Sequence, residues 1–307
     1  MRKFTSQEIK EFVSKPLFDE KVILKKDPAY PKISVVTPSY NQAEFLERTI
    51  LSVLNQNYPN LEYIIIDGGS TDGSVEIIKK YEKYLAYWVS EPDRGQAHAL
   101  NKGFERATGE LVGWQNSDDI YLPGAFIKVV EMYKKNYTPQ NIVIYGNKLI
   151  IDENDLIVGE RRLANIGVGL SKLGIKFGGF GIYQPSSFWS RNLFYKVGLL
   201  NEELFFCMDN DLFIRIFLLI DDLKLIFTRE YLTGFRVHKK SKSSNFTKIA
   251  ESEYDFIIRK YDLKHRTIIG KVVSNFVRFI RCLIYIEQGD IDYLFYKFMD
   301  KKLKWLP

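Results

Sequence analysis

The fold is decided by residues 33–70, ISVVTPSYNQAEFLERTILSVLNQNYPNLEYIIIDGGS. The β-branched apolar run ISVVT (33–37) reads as a buried strand. A polar turn follows, and residues 42–56 then place Leu46, Ile50, Val53 and Leu54 on one face of a helix. Asn41 with Glu44 three residues on resembles a capping box. YIII (63–66) reads as a second strand. The alternation continues with a helix over 74–85, a strand at 87–90, a helix over 95–107 and a strand at 110–115. A helix over 123–136, with Pro123 suited to its first turn, and a strand at 142–146 complete it. Strands alternating with helices of this length predict an α/β chain with a mostly parallel, doubly wound sheet flanked by helices.

Ligands of such sheets bind outside the carboxyl ends of the strands. Those ends carry TPSYN (37–41), DGGSTDGS (67–74), EPDRGQ (91–96) and NSDD (116–119). Any one of them suits a turn or a helix cap, Asp72 in particular. Four on one edge point to a ligand site. The adjacent carboxylates of Asp118 and Asp119 repel each other, and a divalent cation shared with a phosphate ligand offsets that repulsion. Neither GxGxxG nor GxxxxGK[ST] occurs in these loops, which argues against a dinucleotide fold and a Walker-type phosphate loop. A nucleotidyltransferase on a similar sheet calls for a glycine- and basic-rich loop after the first strand, where TPSYN stands.

The 307 residues suffice for one large domain or two smaller ones, and 46% hydrophobic with 27% charged residues is an ordinary globular balance. Cys207 and Cys282 make no disulfide framework. The N-terminus lacks the apolar core of a signal peptide, and no stretch of about 18 apolar residues occurs, so a cytoplasmic protein is expected. The net charge of +6 is modest, and no nucleic-acid partner is expected. Residues 264–307 hold nine Lys/Arg against four Asp/Glu, so the excess positive charge gathers in the tail.

ISVVTPSYNQAEFLERTILSVLNQ, IIIDGGSTDGS, SEPDRGQAHALNKGFERATGELVGWQNSDD and FFCMDNDLFIRI together resemble the family-2 inverting glycosyltransferases of the GT-A fold. The resemblance covers about residues 32–240, and it implies a Rossmann-like sheet and a nucleotide-sugar donor. It divides the chain into a helical preamble (1–31), a catalytic domain (32–240) and a helical extension (241–307). The catalytic domain has a nucleotide half at 32–120 and an acceptor half at 121–240. By position, Thr37, Pro38 and Tyr40 would line the base and ribose, and Asp67 would accept a hydrogen bond from the base. Asp93 and Arg94 would lie near the ribose, sugar and diphosphate. NSDD stands where the family carries its DxD-type metal motif, with Asn116 and Ser117 on the donor and Asp118 as the ligand of Mn2+ or Mg2+. Asn116 replaces the first acidic residue of that motif. Asp119 would orient the site or bind the acceptor.

The resemblance makes Asp209 the base that takes the proton of an acceptor hydroxyl; Asp211 would cap or orient its helix. Gln184 and Pro185 would line the sugar or acceptor pocket, and Trp189 or Phe188 would stack on a sugar ring or pack in the core. His238 would touch the metal or diphosphate, His98 reads as structural, and His265 has no legible site. The acceptor implied is a glycan or a lipid-linked glycan in cell-surface polysaccharide or lipopolysaccharide synthesis. A nucleotide-sugar-binding module without turnover is the alternative.

Residues 267–286 put Ile269, Val272, Val273, Phe276, Ile280, Leu283 and Ile284 on one helical face. Lys271, Ser274, Arg278 and Arg281 lie towards the other. Such a helix suits either peripheral contact with the inner face of the plasma membrane or packing, on the catalytic domain or on a second copy. Trp305 and the lysines of FMDKKLKWLP (298–307) lean towards the membrane.

Overall fold

A computed structural model describes residues 1–136, 141–178, 181–242 and 247–299. Among these residues a single sheet holds nine strands. They are β1 (Ile33–Ser39), β2 (Leu61–Asp67), β3 (Tyr87–Ser90), β4 (Leu111–Trp114), β5 (Ile120–Tyr121), β6 (Ile142–Ile151), β7 (Ile157–Arg161), β8 (Ser187–Ser190) and β9 (Lys224–Arg236). Their order is β3-β2-β1-β4-β8-β6-β9-β5, with β7 on the flank of β6. The first four are parallel, as the βαβ alternation predicts. Beyond β4 the sheet is mixed: β8 runs antiparallel to both β4 and β6, whereas β6 and β9 run parallel.

Helices α3 (Ala43–Leu54), α4 (Ser74–Tyr81) and α5 (Gln96–Arg106) make the crossovers of the parallel half, and α6 (Ala125–Lys135) follows β5. The runs at 33–37 and 63–66 are apolar throughout because both faces of the sheet are covered. Side chains alternate in direction along a strand. Val35, Tyr63 and Ile65 therefore pack with Leu46, Ile50 and Phe126 of α3 and α6. Val36, Ile64 and Ile66 pack on the opposite face with Leu100 and Phe104 of α5.

The chain steps from β1 outward to β2 and β3, then returns to the other side of β1 as β4. The strand order thus reverses between β1 and β4, and the loops TPSYN and NSDD flank the crevice that such a reversal opens.

Two turn readings change. α3 begins after Gln42 with no side-chain cap of its own, and Asn41 sits at φ 51°. Its first amides are satisfied from the next loop: Ala43 N–H donates to Asp72 Oδ2 at 2.9 Å and Gln42 N–H to Ser74 Oγ at 3.1 Å. Asp72 is therefore a structural cap. Pro123 precedes Gly124, the N-cap of α6, rather than opening the helix.

The preamble forms α1 (Ser6–Ser14) and α2 (Glu20–Lys25), and Ile9 and Val13 of α1 pack with Ile120 and Leu122. Helices α7 (Gly167–Phe177), α8 (Asn192–Val197) and α9 (Met208–Leu219) belong to the second half. The tail forms α10 (Thr247–Lys260), α11 (Ile268–Glu287) and α12 (Ile291–Met299). Ile257 of α10 lies in the same cluster as Trp114 and Phe213. Arg162 and Arg229 donate to Asp290 Oδ1 at 2.7 and 2.8 Å, which pins the turn before α12.

α11 docks through Ser274, Val277 and Tyr285, with Arg281 also turned inward, and leaves Ile269, Val272, Phe276 and Leu283 exposed. The helix is amphipathic as expected, but its polar-leaning side is the one that meets the protein. Among the described residues no helix is long and apolar enough to cross a membrane. Trp305 and the lysines at 301–304 lie outside the described residues.

Candidate active site

The ends of β1, β2 and β3 are level, with Ser39 paired to Asp67 and Asp67 to Ser90. Asp67 is fully buried, and its carboxylate is the knot of its own loop. Oδ2 accepts from Ser70 N–H at 2.8 Å, Gly69 N–H at 3.1 Å and Ser90 Oγ at 2.7 Å, and Oδ1 accepts from Ser70 Oγ at 2.6 Å. A Cβ added at Gly68 would stand 2.6 Å from Asp93 Oδ2 and 3.2 Å from the Tyr40 ring. Only glycine lets these two side chains close on one point. Tyr40 is 62% exposed there, a free aromatic face at the end of β1. Asp93 Oδ1 accepts from Gly95 N–H at 2.7 Å, and Arg94 reaches across to Glu202 at 2.5 Å. The His98 ring accepts from Arg94 N–H at 3.2 Å, a local structural bond. Pro38 is buried. Thr37 departs from its expected place in the wall: its hydroxyl is buried against that of Tyr63 at 3.2 Å.

The NSDD loop is built from two sides. Thr49 Oγ1 of α3 donates to the carbonyls of Ser117 at 2.9 Å and Asp119 at 2.7 Å. From the other side, the pairing of Ile120 with Gly234 brings the end of β9 alongside. Arg236 is buried and donates from its backbone to Asp119 Oδ1 at 2.8 Å and from Nε to Asp118 O at 2.7 Å. Its guanidinium also binds Asp152 O at 2.7 Å and Asp155 Oδ1 at 2.6 Å. Two residues on, His238 Nε2 lies 3.0 Å from Asp118 Oδ2, with its ring against Phe45. The two expected metal ligands thus meet across 120 residues of chain.

The neighbours of Asp118 do other work. Asn116 Oδ1 accepts from Trp114 Nε1 at 2.7 Å and Gln96 Nε2 at 2.9 Å, and its Nδ2 donates to Asp119 Oδ2 at 3.1 Å. Asn116 therefore holds the loop together, and both lone pairs of its carbonyl are taken. Asp119 is buried beneath the loop rather than turned to an acceptor. Burial, then the adjacent charge of Asp118, pushes its carboxyl up to about 7.

Asp209 lies in the first turn of α9, where the helix dipole favours a carboxylate. Burial nevertheless raises its pKa above the ordinary value, opposed by the amide of Asn210 and the charge of Lys148. Asp211 is structural, as expected, accepting from Arg215 Nε at 2.8 Å and the Tyr261 hydroxyl at 2.7 Å. Gln184 and Pro185 form a buried turn, and Gln184 Nε2 donates to Trp114 O at 2.6 Å, fixing the end of β4. Trp189 is not an acceptor wall. It is fully buried among Phe104, Phe194 and Phe213. Phe188 is equally buried, stacked on Tyr121.

Four site residues escape sequence reasoning. Arg236 is one. Lys242 Nζ donates to Gln96 Oε1 at 2.8 Å and Phe205 O at 3.1 Å. Burial lowers its pKa to about 8, although Glu253, Asp118 and Asp93 favour the charged form. Lys148 of β6 is buried over the rings of Phe235 (4.2 Å) and Tyr183 (4.3 Å). Burial holds its pKa near 8 against the attraction of Asp119 and Asp209. Glu253 of α10 accepts the amides of Phe205, Phe206 and Cys207 at 2.7–2.8 Å and so caps the entry to α9 from outside. The basic run RVHKKSK was the one signal for Arg236 and Lys242; Lys148 and Glu253 had none.

Residues 34–198 match the model of glycosyl transferase family 2, more than half of the chain. An uncharacterized glycosyltransferase of Rickettsia typhi, RT0329, is 28% identical over 70% of this chain and 67% of its own length. The putative teichuronic acid biosynthesis glycosyltransferase TuaG of Bacillus subtilis is 45% identical over 29% of this chain and 36% of its own. A Nostoc glycosyltransferase, alr2836, is 34% identical over 42% of this chain, and that match takes in 40% of the relative. Among solved structures, residues 1–349 of S. aureus TarS with UDP-GlcNAc give a TM-score of 0.57 at 15% identity, covering 79% of this chain and 70% of that one. The mannosyltransferase PcManGT of Pyrobaculum calidifontis with GDP-Man and Mn2+ gives 0.52 at 21% identity, covering 78% and 65%. The curled mixed sheet with flanking helices is thus the GT-A fold, and the chain belongs to glycosyltransferase family 2.

Proposed function

We propose that this chain is an inverting, metal-dependent glycosyltransferase that moves a sugar from a nucleoside diphosphate sugar to a glycan acceptor, free or lipid-linked. Its place is cell-surface polysaccharide or lipopolysaccharide synthesis at the inner face of the plasma membrane. The observation that carries the reading is the Asp118–His238 pair beside the β1/β4 crevice, on the edge where Asp67 ends β2 and Asp93 follows β3. The nucleotide-sugar complexes of TarS and PcManGT and the polymer named for TuaG support the donor class and the setting.

The exposed Tyr40 ring offers the base a stacking face, and the Asp67 loop and Asp93 close around base and ribose. Asp118 keeps Oδ1 without a hydrogen bond among the described residues. One carboxylate and one imidazole fit a Mn2+ or Mg2+ that takes its remaining ligands from water and phosphate. When bound, the cation offsets the charge that gathers on the departing diphosphate. Lys242, bonded to Gln96 and attracted by Glu253, Asp118 and Asp93, adds a positive charge at the same end. The acceptor oxygen bonds to the anomeric carbon as the bond from that carbon to the diphosphate breaks on the opposite face. The hydroxyl proton passes to Asp209. Its raised pKa makes it a stronger base than an exposed carboxylate.

The test is Asp209→Asn. Transfer should fall by about 10²–10⁴-fold, with donor binding retained. Equal loss of both removes Asp209 from the role of base. A wild type that binds donor without transferring or hydrolysing it is a binding module instead.

A further inference from the structure

Among the described residues, the outer side of α11 has no partner. Ile269, Val272, Phe276, Phe279 and Leu283 are 45–65% exposed. They recur every three or four residues, so they form one continuous apolar line. Beside it opens a cavity of about 350 Å³, lined by Tyr254, His265, Lys271, Ser274, Asn275 and Arg278 among others. Neither Lys271 nor Arg278 takes part in an ion pair among the described residues. His265 is a fixed wall, and burial lowers its pKa. Its Nε2 donates to Ile175 O, and the Tyr254 hydroxyl donates to Nδ1 at 2.8 Å. The cavity therefore presents two cations, with the polar side chains of Ser274 and Asn275, next to an apolar surface.

A second copy of the chain complements this surface poorly. Between residues 268 and 286 there is no acidic residue. In a pairing of α11 with its own copy, Lys271 and Arg278 would meet no acidic partner within that stretch. An anionic lipid layer supplies both missing halves, apolar tails for the line and phosphates for the cations. The residues that follow the described tail add Lys301, Lys302, Lys304 and Trp305, a composition of the same kind.

We propose that α11 lies on the surface of an anionic phospholipid bilayer. The apolar line rests against the acyl chains, and Lys271 and Arg278 hold a headgroup phosphate at the mouth of the cavity. This surface is independent of the transfer chemistry, so it stands or falls separately from it.

The test is flotation of the full chain with vesicles of phosphatidylcholine alone and of phosphatidylcholine with phosphatidylglycerol. Binding should be at least about tenfold stronger to the anionic vesicles. Lys271→Gln with Arg278→Gln should weaken it by about 25-fold, at roughly fivefold per cation. Phe276→Ser with Phe279→Ser should abolish it at an unchanged melting temperature, because both rings are exposed. Equal binding to the two vesicle types, or indifference to both pairs of substitutions, overturns the proposal. So does absence of flotation. If the chain is then a dimer that Phe276→Ser with Phe279→Ser splits, the face belongs to a second copy.

Discussion

Asp118 and Asp119 share a peptide bond and have opposite surroundings. Asp118 stands at the rim, its side chain 23% exposed and facing His238. Asp119 is buried under Arg236 and Asn116. Its pKa rises from 3.8 to about 7 on folding. The folded state thus holds this proton more tightly than the unfolded chain. The stability it contributes is complete below about pH 4 and is lost as the pH rises through 7. Urea unfolding at pH 5 and pH 8 should show that loss in the wild type, and Asp119→Asn should flatten it. Asp209, as the proposed base, gives the complementary signal in activity. A base must be ionised, so kcat/KM should fall on the acid side at a pH above the ordinary carboxylate range. Trp189→Ala should cost about 3–5 kcal/mol in unfolding free energy, as a fully buried ring does. The sequence left Trp189 between sugar and core, because a strand run such as SFWS does not say which side of the sheet meets a ligand.

At the scale of elements, the site depends on contacts that no local pattern encodes. The four strand-end loops were legible because strand, turn and helix each have a short period. The approach of His238 to Asp118 needs β9 to pair with β5, and only the family resemblance anticipated its result. The capping of α9 by Glu253 spans 46–48 residues and had no sequence signal. Glu253→Gln replaces one accepting oxygen with a donor facing an amide N–H. It should lower the unfolding free energy by about 1–3 kcal/mol, read by denaturant titration.

At the scale of the whole molecule, the preamble and the tail are bound to the same sheet as the strand-end loops. α1 rests on Ile120 next to the NSDD loop, and α10 holds the entry to α9. A chain ending at residue 263 loses α11 and α12. It should melt below the full chain, because Val277, Tyr285 and Tyr293 leave a buried cluster with Ala164 and Ile166. The alternation of strands and helices was enough to read the parallel half. The mixed half was hidden, because β8 and β9 are short or partly exposed runs whose direction follows from pairing alone.

We propose that Asp118 and His238 hold a cation on a donor diphosphate. Calorimetric titration with UDP, GDP, ADP, CDP and dTDP, with and without Mn2+, tests it most directly. At least one diphosphate should bind, and its affinity should fall by about tenfold or more without Mn2+ or in Asp118→Asn. Failure of every diphosphate to bind, or binding indifferent to both Mn2+ and Asp118, would contradict the account.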